Sequence, residues 1–176
     1  IDGTTAAYSW PSRGWSLSYD SDRTGIDVYW PVIKDLITDL AKPYTSPAGA
    51  GEVKPRLIIV AHSMGCDYLL KALDRLKEDF ATGKLWGTSP PISEIVFAAP
   101  DVDATVFKRD LPAIRPLAER VTAYCSEADV ALWLSMSAVH KYERAGSKAE
   151  ELASTRMRAA ACWCASTLSP ASPSAR

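Results

Sequence analysis

The sequence predicts an α/β fold in which parallel strands alternate with helices. Strand patterns and helix patterns alternate four times over about 140 residues, as in a parallel sheet built from right-handed crossovers. The apolar run Leu57–Val60 has no alternation, which is typical of a strand buried on both faces. With 176 residues, 47% of them hydrophobic and 23% charged, the composition is that of an ordinary globular domain.

The predicted strands each end at a turn signal or at a helix pattern. Pro11 stops the first, and the second leads directly into a histidine, a serine and a glycine. Polar loops follow the last two, at the carboxyl edge where open parallel sheets place their ligands. The four predicted strands are Ala6–Trp10, Arg56–Ala61, Glu94–Ala99 and Val121–Cys125.

The predicted helices are recognised by apolar residues at spacings of three and four. The second helix begins directly after Ser63, the third runs from Val106 to Pro112, and Val130–His140 has the pattern of a fourth. The core-facing residues of the first helix are predicted to be Ile26, Trp30, Ile33, Ile37 and Leu40, before a loop that begins at Pro43. Those of the second are Leu69, Leu73, Leu76 and Phe80.

A change of composition after Gly146 divides the chain into two predicted regions. Residues 1–146 are expected to form a partial α/β domain. Residues 147–176 are an Ala/Ser-rich tail without a strand pattern, of which Lys148–Cys164 has the composition of a helix and the end is expected to be disordered. Because Ile1 is not an initiator methionine, we expect the chain to be a fragment or a processed product.

Charge and cysteine content argue against several classes of partner and site. A formal net charge of −1 gives no electrostatic reason to expect nucleic acid or an anionic membrane. No signal peptide or membrane-spanning run is present, so a cytoplasmic location is the default expectation. The four cysteines lack metal-site and disulfide spacing, and Cys66 and Cys125 are expected to be reduced core residues. No cofactor and no metal ion is expected.

The chemical centre of the sequence is Ser63, in the stretch A-H-S-M-G. Small residues two positions before it, Ala61, and two after it, Gly65, let a strand and a helix approach closely around a strained serine. This is the pattern of a nucleophile elbow, in which the Met64 N–H is left to hold an oxyanion. The alternative is that Ser63 only caps the helix that follows.

Five motifs in order carry a resemblance to a known family. They are S-W-P-S-R-G at residues 9–14, A-H-S-M-G at 61–65, A-A-P-D-V-D at 98–103, Y-C-S-E-A-D-V-A-L at 124–132 and H-K-Y-E-R-A-G at 140–146. Together they resemble a bacterial family of α/β-hydrolase-fold proteins of unknown function, over roughly residues 5–146. The resemblance implies that the four predicted strands are strands four to seven of a hydrolase sheet, with flanking helices.

The resemblance also implies roles for residues of a catalytic triad. In α/β-hydrolases the order is Ser, Asp or Glu, then His. Ser63 would be the nucleophile, and Asp129 would be the acid unless it only caps a helix. Asp101 and Asp103 are alternative acids, and both could equally cap the helix that follows them.

The base is the least certain member of this triad. His62 adjoins the nucleophile, but its side chain is expected to point away from the serine hydroxyl. His140 is the remaining histidine, and it lies near the end of a predicted helix rather than after a last strand. The family pattern has a histidine there in addition to the catalytic one.

Two family features have no counterpart in this sequence. Members carry an H-G motif before strand four, which supplies a second oxyanion donor, and a catalytic histidine after a last strand. Neither is present here. The Ala/Ser-rich tail resembles the product of a shifted reading frame.

Three functions are therefore expected as alternatives. The first is a serine hydrolase of the esterase, lipase or thioesterase type, which cleaves a small ester, thioester or amide through an acyl-enzyme at Ser63. The second is a non-catalytic hydrolase-fold module that binds at the same cleft. The third is an incomplete, inactive product with exposed sheet edges. The sequence does not specify a substrate or an oligomeric state.

Overall fold

The computed structural model of the chain describes residues 3–11, 24–45, 56–85, 90–125, 145 and 162–164. Strands and helices alternate within these ranges, and a short 3-10 helix, Arg115–Leu117, precedes the third strand. The helices are α1 (Ile26–Thr45), α2 (Gly65–Ala81) and α3 (Ala104–Ile114). The strands are β1 (Ile58–His62), β2 (Ile92–Ala98), β3 (Ala118–Cys125) and β4 (Cys162–Cys164).

The sheet is parallel, and its spatial order is the order of the chain, β1-β2-β3-β4. The register places Ala61 beside Phe97, Phe97 beside Ala123, and Ala123 beside Cys162. Each neighbouring pair is thus joined by a crossover, as the predicted α/β class requires. The fold class is confirmed, and the strands carrying the elbow and Asp101 end at the same edge.

One face of the sheet packs against the helices and forms the core. Ile95 and Phe97 on β2 are fully buried, as are Leu73 on α2 and Phe107 on α3. The rings of Phe97 and Phe107 meet edge to face, with centroids 5.1 Å apart, an arrangement that the aromatic quadrupole favours. The predicted apolar stripe of α2 is therefore a core stripe.

The other face of the sheet is partly exposed to solvent on β1 and β3. Ile58 and Val60 are 51% and 66% exposed, and Tyr124 on β3 is 47% exposed. The prediction that the β1 run is buried on both faces is wrong. Successive side chains of a strand point to opposite faces of the sheet, and Ile58 and Val60 lie on the exposed face. Leu57 is buried in the core, and Ile59 and Ala61 pack against it.

Helix α1 lies against α2 through polar and aromatic contacts. The Lys34 ammonium donates to the Asp79 carboxylate at 2.8 Å, and this hydrogen bond lowers the pKa of Asp79. The Arg75 guanidinium lies 5.6 Å from the centroid of the Trp30 ring, within the range of a cation–π interaction. These contacts fix α2 on its outer side.

The carboxyl-terminal part of α1 differs from the prediction in two respects. Leu40 is 39% exposed, and Ala41 is fully buried in its place. Alternating spacings of three and four average 3.5 residues, less than the roughly 3.6 residues of a helical turn, so the buried stripe drifts toward the following residue. The helix also continues past Pro43 to Thr45, where a loop was expected.

The expected strand at Ala6–Trp10 is not formed. Residues 4–11 have no regular secondary structure, and the segment is exposed except at Trp10. Its small side chains bury almost no surface, and a strand without ladder bonds to a neighbour gains nothing from being extended. Trp10 packs instead on α2, so the predicted strand four is absent from the described sheet.

The carboxyl-terminal region contains a strand that the sequence pattern did not indicate. Cys162–Cys164 pairs in parallel with the end of β3. Three residues are too few to show a period, so pairing to β3 rather than local pattern defines this strand. The division of the chain at residue 146 stays a prediction. No helix in the described ranges is long and apolar enough to cross a membrane.

Candidate active site

The turn between β1 and α2 has the backbone of an elbow. β1 ends at His62, α2 begins at Gly65, and Ser63 between them has a φ of 53°. A non-glycine residue in this left-handed region is strained, and such residues cluster at functional sites. The strained conformation that was expected at Ser63 is therefore present.

Hydrogen bonds from the end of β2 hold this turn in place. The Ser63 N–H donates to the Ala98 carbonyl at 3.0 Å. The Ser63 carbonyl accepts from the N–H of Cys66 at 3.0 Å and from the N–H of Asp101 at 3.2 Å. Because both backbone groups of Ser63 are engaged, its φ is set by the neighbouring strand and by the helix together.

Met64 occupies the N-cap position of α2, with φ −58° and ψ −28° and without a side-chain capping bond. The N-cap is thus one residue after Ser63, and the alternative that Ser63 only caps the helix stays a prediction. Within the described part of the chain, no acceptor is hydrogen-bonded to the Met64 N–H. The first amides of a helix are good anion donors, and this one lies directly after Ser63.

Cys66, three residues after Ser63, is a structural thiol. It is fully buried, and its Sγ donates to the Ala98 carbonyl at 3.7 Å. Burial strongly raises the pKa of this thiol, and the nearby Asp101 raises it further. Because the thiolate is the reactive form, Cys66 is no competitor for Ser63 as a nucleophile. Cys66 and Cys125 are both buried and neither is in a disulfide, as expected.

The two alternative acids after β2 have different environments. Asp101 is only 2% exposed, and its backbone N–H donates to the Ser63 carbonyl. Asp103 is the N-cap of α3, and its Oδ1 accepts from the N–H of Thr105 at 2.8 Å and of Val106 at 3.1 Å. Asp103 therefore serves as a helix cap, whereas Asp101 adjoins the elbow.

Replacing Asp103 with alanine is expected to lower the free energy of unfolding by about 1 kcal/mol, because two helix amides lose their acceptor. Urea denaturation followed by circular dichroism measures this change. Asp103→Ser is the matched control, because serine also caps helices and should retain most of the stability. Equal losses in the two variants would contradict the capping role.

The remaining triad candidates are not brought together by the described residues. His62 is exposed at the end of β1, and no hydrogen bond joins it to Ser63 within the described ranges, as expected for a residue that points away. Asp129 and His140 lie outside the described residues. Their assignments as acid and base stay predictions.

Trp10 is a site residue that the sequence analysis missed. Its ring stacks on Tyr68 of α2, with centroids 4.9 Å apart and planes 23° from parallel. The ring also faces Gly65, whose lack of a side chain was expected to serve the strand–helix approach. A sequence signal does exist, since an aromatic residue in a polar segment before proline is a candidate anchor.

No set of three or more His, Cys, Asp or Glu side chains in the described ranges is close enough to share a metal ion. The site is therefore best described by its backbone. It consists of a strained serine and a donor amide at a helix start, at the carboxyl edge of a parallel sheet. Such an edge is where open α/β sheets bind their ligands.

A family model described as an alpha/beta hydrolase of unknown function (DUF900) matches residues 1–168. No curated protein and no solved structure matches the chain. The fold and the elbow thus define an α/β-hydrolase-like protein. The chain belongs to the alpha/beta hydrolase family of unknown function whose model covers it, as the ordered motifs predicted. The match extends past Gly146 into the Ala/Ser-rich region.

Proposed function

We propose that this chain is a serine hydrolase that cleaves a small ester, thioester or amide through an acyl-enzyme at Ser63. The observation that carries the proposal is the backbone of the elbow. Ser63 has a φ of 53° between the end of β1 and the start of α2, and the next N–H is not used within the described structure. Strain of this kind persists where the surrounding structure maintains it for function.

The chemistry follows from these two groups. The Ser63 Oγ attacks the carbonyl carbon as its proton passes to a base, and the carbonyl oxygen becomes an oxyanion beside the Met64 N–H. The bond from carbon to the leaving oxygen, sulfur or nitrogen breaks, and the leaving group takes the proton from the base. Water then attacks the acyl-enzyme in the same way, with Ser63 as the leaving group, and the carboxylic acid product is released. His140 is the proposed base and Asp129 the proposed acid.

A fluorophosphonate probe tests the proposal, because it phosphonylates an activated serine without requiring the natural substrate. We expect the wild-type protein to be labelled and Ser63→Ala to remain unlabelled. Ser9→Ala is the matched control, since Ser9 is exposed in the segment before β1 and its loss should leave labelling unchanged. Circular dichroism and size-exclusion chromatography establish that each protein is folded.

Two outcomes would overturn the proposal. Folded wild-type protein that is not labelled would favour the non-catalytic binding module. Equal labelling of wild type and Ser63→Ala would place the reactive group elsewhere. His140→Ala is informative in addition, because removal of a true base should slow labelling by about a hundredfold or more, and an unchanged rate would exclude His140 from that role.

A further inference from the structure

We propose that Trp10 is a positioning residue for Ser63, which acts through Gly65 and the first turn of α2. It does not contact the reacting atoms. The inference rests on the proposed function, because positioning has a meaning only for a nucleophile. It concerns a segment, residues 4–11, that forms no strand.

Trp10 is the anchor of that segment. Residues 3–9 are exposed, whereas Trp10 is partly buried against α2. Its stacking partner Tyr68 is 1% exposed, with ring centroids 4.9 Å apart. A stack on a buried ring fixes the position of the indole, because the lower ring has no room to move.

The second contact of Trp10 lies at the elbow itself. A Cβ built on Gly65 would lie 3.4 Å from both Cζ3 and Cη2 of Trp10. The indole therefore lies directly against the start of α2, within van der Waals reach of a side chain at position 65. The residue before it is Met64 and the one before that is Ser63, so a shift of Gly65 moves the donor amide and the hydroxyl together.

The elbow is thus held from two sides. The end of β2 holds it through the hydrogen bonds of Ala98 and Asp101 to the backbone of Ser63. Trp10 bounds it at the start of α2. A strained residue keeps its conformation only while its surroundings determine it, and reaction rates fall steeply when a catalytic group is displaced by about 1 Å.

The polar group of the indole takes no part in this role. The Trp10 Nε1 is buried and has no hydrogen-bond partner among the residues that the structure describes, and a buried donor without an acceptor is unfavourable. The ring of Trp10 rather than its N–H is therefore the part that acts. Phenylalanine retains an aromatic ring and removes the unpartnered N–H, whereas leucine retains apolar volume and loses the flat ring.

The test compares Trp10→Phe with Trp10→Leu, on folded protein, by fluorophosphonate labelling and by turnover of a p-nitrophenyl ester. We expect Trp10→Phe to stay within about threefold of wild type and Trp10→Leu to lose about tenfold or more in kcat, with KM unchanged. If Trp10→Leu lowers only the melting temperature and the folded protein reacts at the wild-type rate, Trp10 is merely structural and the proposal fails.

Gly65→Val perturbs the same contact from the opposite side. If Trp10 acts through Gly65, the double variant Trp10→Leu with Gly65→Val should lose less activity than the product of the two single losses, because the smaller leucine leaves room for the valine side chain. Multiplicative losses would show that Trp10 acts by another route and would overturn the proposal.

Failure of the proposed function is separated from failure of this inference by amide hydrogen exchange. If wild-type protein is not labelled, exchange in Trp10→Leu still reports on the elbow. We expect faster exchange than wild type in residues 62–68 and unchanged exchange in residues 118–125. Unchanged exchange in residues 62–68 would show that Trp10 does not hold the turn, whatever Ser63 does.

Discussion

Ser63→Gly is expected to yield a protein that is more stable than wild type and, if Ser63 is the proposed nucleophile, has no turnover. Ser63 has a φ of 53°, a region that costs a residue with a Cβ about 1–2 kcal/mol and glycine almost nothing. Glycine is also more flexible in the unfolded chain, which offsets part of this gain. The net gain should be up to about 1 kcal/mol, whereas loss of a serine nucleophile reduces kcat by a factor on the order of 10⁶.

Ser63→Ala is the matched control for this prediction. Alanine lacks the hydroxyl but keeps a Cβ, so it should lose turnover as fully as glycine does, without the gain in stability. Chemical denaturation gives the free energies of unfolding, and hydrolysis of a p-nitrophenyl ester gives kcat. If glycine proves less stable than alanine at this position, the strained conformation is not a feature of the folded protein.

Phe107→Ala is expected to lower the free energy of unfolding by about 3–5 kcal/mol, which is a large part of the stability of a small domain. Phe107 is fully buried, and its ring meets that of Phe97 at a centroid distance of 5.1 Å. Removal of the ring leaves a cavity between α3 and the sheet. The measurement is urea denaturation with the slope compared between variants.

Val106→Ala provides the comparison, because Val106 is the adjacent residue of α3 and is only partly buried against the core. Val106→Ala removes fewer atoms from a less buried position, so its loss in free energy of unfolding should be well below that of Phe107→Ala. A similar cost for the two variants would mean that α3 is not packed on the sheet through Phe107.

The parts of this fold that follow from local sequence were predictable. The elbow was found because its strand, its small residues and its helix are consecutive in the chain, and each has its own period. β2 and β3 were found in the same way, with first residues that differ by two and three positions and last residues that differ by one at most. The Asp103 cap was foreseen as an alternative, since aspartate directly before a helix is a common cap.

The parts that depend on distant contacts were not predictable. Trp10 has the same local pattern whether it pairs in a sheet or stacks on Tyr68, and only the tertiary structure distinguishes these. The exposure of Ile58 and Val60 depends on what covers the second face of the sheet, which a run of apolar residues does not encode. β4 is a strand because it pairs with the edge of β3, a contact between residues distant in the sequence.

The order of the strands has a consequence for how the elbow comes into being. Because neighbouring strands follow one another in the chain, a nascent chain can add one strand and helix at a time to a growing edge. The hydrogen bonds that hold Ser63 come from Ala98 and Asp101, which are synthesised well after the A-H-S-M-G motif. The motif alone therefore does not determine the backbone conformation of Ser63. Transplanted onto another strand and helix, these five residues would relax unless a neighbouring strand were supplied to hold them.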